Sequence, residues 1–173
     1  MTSLPATERV RTALRNAFRD VRRREGEQVS AVTHAACVGI AGDIWLLTAE
    51  DIHYYIPRIL DDLLDSHNTD PKASEYLSAV VDHLNVMCWT CRSGEGGRGS
   101  ETEGNGGWHG SDDYLASRKT LLYNAFSTEQ CCAIEQWLVL AREWKVSLSC
   151  LDDFDAAITY WRQRKRGHPL EVP

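Results

Sequence analysis

Thr48 to His67 read TAEDIHYYIPRILDDLLDSH, and the apolar spacing in this stretch decides the fold class. Ile52, Tyr55, Ile56, Ile59, Leu60, Leu63 and Leu64 recur at intervals of three and four, which lines them along one side of an α-helix. Thr48 followed by Asp51 is a capping-box pattern, in which each side chain satisfies a backbone N–H left open at the helix start. Pro57 lies inside the run. A proline removes a backbone donor and crowds the preceding turn, so a kink is expected there, or two short helices meeting at Pro57. The opposite side carries Asp51, His53, Tyr54, Arg58, Asp61, Asp62 and Asp65.

The same period continues on both sides of this segment. Residues 7–24 place Val10, Ala13, Leu14, Ala17, Phe18 and Val21 on one stripe, with Arg9, Arg11, Arg15 and Arg19 largely off it. Residues 28–41 predict a closely packed helix ended by Gly42, a strand being the lesser option. Residues 72–88 carry Tyr76, Leu77, Val80, Val81, Leu84 and Met87 at helical spacing, and residues 112–126 carry Leu115, Leu122 and Phe126. A second capping box, Ser127 with Gln130, opens a helix with the stripe Cys131, Ile134, Trp137, Leu138, Ala141 and Trp144. After Ser149 a last helix begins with Asp152, Asp153 and Asp155 and ends with Arg162, Arg164, Lys165 and Arg166, the charge order that a helix dipole favours. Trp45, Trp137, Trp144 and Trp161 fall on apolar stripes and are expected in the core. The expected architecture is all-α: one domain over residues 1–173, a bundle of about six or seven helices.

At 173 residues with 43% hydrophobic content the chain is large enough for one self-sufficient core. The N-terminus lacks the apolar stretch of a signal peptide, and no run approaches the ~18 apolar residues of a membrane span, so a cytoplasmic location with reduced thiols is expected. Charge is uneven. Residues 1–25 carry seven Arg against Glu8, Asp20 and Glu25, a net of +4, whereas residues 43–113 carry fourteen acids against Arg58, Lys72, Arg92 and Arg98, a net of −10. Nucleic acid needs a basic surface and is not the expected ligand, while a basic protein partner fits the acidic segment.

Between Cys88 and Gly110 the sequence CWTCRSGEGGRGSETEGNGGWHG admits several readings. Cys88, Cys91 and His109 could share a zinc ion, but a second ligand pair at regular spacing is missing. A redox C-x-x-C pair belongs where a strand meets a helix N-terminus, and a phosphate loop needs the Lys and strand that this segment lacks. Eight of the nineteen residues from Arg92 to Gly110 are glycine, and a long surface loop over 92–110 is the preferred reading. Trp89 and Trp108 flank it. The candidate partner-binding set is therefore Tyr54, Arg58, Asp61, Asp62 and Asp65, with Trp89 and Trp108 nearby. No nucleophile, base and orienting group stand at a recognisable spacing, so an enzyme is not expected and no cofactor is assigned.

Residues 46–64, LLTAEDIHYYIPRILDDLL, resemble the Leu-Thr-x-Glu-x-apolar-x-Tyr-Tyr-Leu-Pro-x-Tyr-Leu pattern of an uncharacterised, mostly bacterial helical family. The helix STEQCCAIEQWLVL at 127–140 is similar to that family's later Phe-Ser/Thr-x-Glu-Gln segment. The resemblance implies a small α protein and supplies no reaction. Taken together, the expected function is a small protein-binding module, an immunity-type or regulatory partner of a basic protein. The alternative is a zinc-stabilised domain or small metal-dependent enzyme built on Cys88, Cys91 and His109. Oligomeric state is left open.

Overall fold

The structure, a computed structural model, describes residues 4–21, 33–44, 47–85, 126–144 and 151–165. Among these the fold is all-α, with six helices and no strand: α1 Ala6–Ala17, α2 His34–Asp43, α3 Ala49–Ser66, α4 Ala73–Leu84, α5 Thr128–Arg142 and α6 Leu151–Lys165. The glycine-rich stretch 92–110 and the helix expected over 112–126 lie outside the described residues, apart from Phe126. So do Cys88, Trp89, Cys91, Trp108 and His109.

Local chemistry sets the helix starts. Thr48 Oγ1 accepts from the Asp51 backbone N–H at 3.2 Å, and Asp51 Oδ2 accepts from the Thr48 N–H at 3.4 Å. Ser127 and Gln130 form the same reciprocal pair at 3.2 and 2.9 Å. Thr33 caps α2 by accepting from the Ala36 N–H, so α2 begins at His34. Gly42 does not end that helix but lies within it. Its backbone keeps an ordinary helical conformation, so the glycine stop expected from sequence is not used. The first helix also differs from the 7–24 expectation, ending at Ala17 with Phe18 as C-cap.

Helix α3 runs unbroken through Pro57, so the alternative of two helices meeting there is corrected. Tertiary packing outweighs the single lost backbone bond. The helix buries Ile52, Ile56, Ile59, Leu60, Leu63 and Leu64, each contributing about 1.5–3 kcal/mol. Nor is it a surface helix with one inner stripe: α1, α2 and α4 all pack against it.

The remaining contacts close a ring. α1 touches α3 and α5, α5 lies along α6, α6 meets α4, and α4 returns to α3, while α2 is laid over α3 and α4. One continuous core fills the bundle. Trp137 and Trp161 are fully buried, and each indole Nε1–H donates to a backbone carbonyl across the core, Leu60 at 2.9 Å and Leu84 at 3.0 Å. Leu84 is the last residue of α4, so Trp161 satisfies a carbonyl that has no partner within the helix. Phe126 meets Phe18, His53 and Trp161 edge-on, with centroids 6.0, 4.2 and 5.5 Å away.

Candidate functional site

Consecutive helical residues point about 100° apart, so Asp61 and Asp62 cannot serve the same neighbour. Each is taken by a different helix. Toward α1, Arg11 Nε donates to Asp61 Oδ1 at 2.7 Å, another Arg11 nitrogen reaches Asp65, and Arg11 Nη1 meets Glu8 at 2.7 Å. Arg15 Nη2 adds a longer bond to Asp61 Oδ2 at 3.3 Å. The Arg11 side chain is only 14% exposed, and the hydrogen bond it donates to Asp61 raises its pKa further, so it stays charged.

Toward α2 and α4, His34 stands between two carboxylates. Its Nδ1 lies 2.8 Å from Asp62 Oδ2 and its Nε2 lies 3.1 Å from Asp70 Oδ2. The bond to Asp62 raises the His34 pKa above its ordinary value, against a smaller desolvation effect. Asp70 is held below the usual carboxylate range first by the Lys72 backbone N–H and then by His34. Behind this pair sit Cys37 and Tyr76, both buried. Burial, with the charge of Asp62 adding to it, pushes the Cys37 thiol up to about 11, and burial likewise raises the Tyr76 phenol. A buried thiol that holds its proton this firmly is a packing group and a poor nucleophile.

Tyr54, expected on the outward side of α3, is instead buried. The Arg58 guanidinium lies 3.5 Å from the centre of its ring and also donates to the Tyr54 carbonyl, covering the residue from above. Tyr54 is therefore largely covered, whereas Arg58, Asp61 and Asp62 are half-buried and Asp65 is exposed. His53, which the sequence puts on the side of the aspartates, does not join them, and neither does His67. His53 packs on Phe126, where desolvation lowers its pKa, and His67 stacks on Trp144 at 3.9 Å.

Sequence reading missed Arg11, His34 and Asp70 as members of this constellation. Nothing in the helical period marks them, since their partners lie 28 to 54 positions away. Among the described residues no group of three or more His, Cys, Asp or Glu side chains could hold a metal ion. No helix among them is long and apolar enough to cross a membrane. No family model, curated protein or solved structure matches the chain.

Proposed function

We propose that the chain is a protein-binding module that meets a basic partner through the acidic side of α3 and α4, as an immunity-type or regulatory protein would. The observation that supports this is the charge carried by two adjoining helices. Within residues 49–84 the chain carries eight carboxylates, Glu50, Asp51, Asp61, Asp62, Asp65, Asp70, Glu75 and Asp82, against Arg58 and Lys72. Arg11 and Arg15 offset Asp61 and part of Asp65, yet Asp65 keeps 77% of its side chain exposed, and Glu50 and Glu75 are exposed as well. Carboxylates held in place by intramolecular bonds lose little freedom on binding, and an excess of one charge steers an oppositely charged protein toward it.

A photo-crosslinking amino acid at Glu75, and separately at Ser74, tests this in the source cells. The expected product is one protein with a basic contact surface. With that protein purified, Asp65→Lys and Glu75→Lys together should weaken binding at least about tenfold, and raising the salt should weaken the wild-type complex. An affinity indifferent to both charge reversal and salt would overturn the reading.

A further inference from the structure

Where α1 ends against the middle of α3, a groove of about 290 Å³ carries the opposite charge to the α3–α4 side. Arg15, Arg19 and Arg58 line it, and Phe18 and Pro57 are among its apolar walls. Asp61 is the carboxylate among its described lining residues, and that group is already engaged by Arg11 Nε at 2.7 Å, so its 3.3 Å bond to Arg15 is a secondary one. Arg19 pairs with the adjacent Asp20 at 3.3 Å, but both side chains are largely exposed, and such pairs are weak. Arg58 is fixed differently, over the Tyr54 ring and against the Tyr54 carbonyl, which engages one face and one terminal nitrogen of the guanidinium. Its other N–H groups are still donors.

From this geometry we infer that the α1–α3 groove is a binding site for a small organic phosphate with a flat apolar body. Three guanidiniums against one shared carboxylate suit a dianion, and Arg makes paired charge-assisted bonds to phosphate oxygens. The Phe18 and Pro57 walls supply contact for the apolar part, which inorganic phosphate lacks. The inference stands apart from the acidic-surface reading, because Arg15, Phe18 and Arg19 come from α1 and its C-terminal turn and the ligand has the opposite charge; Arg58 and Asp61 are the residues common to both.

Phenyl phosphate is the test probe, titrated into the full chain by isothermal calorimetry at low salt, with inorganic phosphate and benzyl alcohol as its two halves. Saturable binding with a Kd of about 0.1–1 mM is expected, at least about tenfold tighter than either half. Arg15→Ala with Arg19→Ala, both at exposed positions, should weaken it about tenfold without moving the thermal midpoint, and Arg58→Gln should weaken it similarly while also lowering the midpoint, because Arg58 covers Tyr54. Arg142→Ala, on α5 and paired with Asp155, should leave it unchanged. No saturation by 10 mM, on the order of ten times the expected Kd, would overturn the site. So would equal affinity for inorganic phosphate, or an equal loss in Arg142→Ala, since either would mean that charge alone attracts the probe.

Discussion

Arg11 on α1 and Asp61 on α3, 50 positions apart in the chain, are joined by a 2.7 Å bond from the guanidinium Nε to the carboxylate. Through Asp65 the same arginine holds a second point one turn further along α3. The expected outcome of Arg11→Ala is a loss of about 1–3 kcal/mol in urea denaturation, because charge-assisted bonds to a largely buried guanidinium are removed together. Arg11→Lys should recover less than half of this, as a point charge cannot reach both carboxylates with the geometry of a planar fork.

The pKa values of His34 and His53 should be shifted in opposite directions, and one NMR pH series can follow both rings. The His34 pKa is raised by Asp62 and Asp70, so its contribution is full below the unfolded value of about 6.5 and is lost as pH rises through the folded value. His53 is lowered by burial, so its contribution is present above about 6.5 and is lost as pH falls through its depressed folded value. His34→Gln should remove the loss of stability on the alkaline side while leaving that on the acid side. Ring pKa values in the reverse order would contradict the placement of both side chains.

Glu135 is a buried carboxylate on α5, held at 2.7 Å by Arg162 Nε and also bonded by Lys165, both from α6. Burial pushes its pKa up, but Lys165 and Arg162 together outweigh that and bring it below the usual carboxylate range. The resulting stability is present above the ordinary carboxylate pKa and is lost as pH falls through the depressed value. At neutral pH Glu135→Gln should cost about 1–2 kcal/mol, the lower part of the range for charged bonds because Arg162 is half-exposed and screened. As pH falls through that depressed value the variant and the wild type should converge, which acid titration of the far-UV circular dichroism will show.

Trp137→Phe removes the indole donor to Leu60 and leaves a small void in the centre of the bundle. A loss of about 1–3 kcal/mol is expected in chemical denaturation, the sum of a missing hydrogen bond and incomplete filling. Trp161→Phe should behave alike and should also loosen the end of α4, read as faster amide hydrogen exchange near Leu84.

Thiol labelling separates the described cysteines by burial. In the native protein a maleimide should modify Cys132, which is partly exposed, well before Cys37 and Cys131, which are buried. Burial also raises the pKa of both inner thiols, lowering their thiolate content at neutral pH. Peptide mass spectrometry after timed quenching resolves the order.

The helical period, the two capping boxes and the buried tryptophans at 137 and 161 were all legible in the sequence, because each depends on residues within a few positions of one another. The bundle class follows from them, as does the charge gradient along α6. What the chain alone could not show is which side of α3 meets solvent. An amphipathic stripe identifies the most apolar face of a helix, yet a central helix is covered on several sides, and Tyr54 is buried by Arg58 and its surroundings despite lying off the stripe. Likewise the aspartates placed together on the side opposite the apolar stripe are divided between Arg11 and Arg15 on one flank and His34 on the other. Those pairings are set by how the helices dock, and docking follows from the shape of the whole core, which no local spacing records.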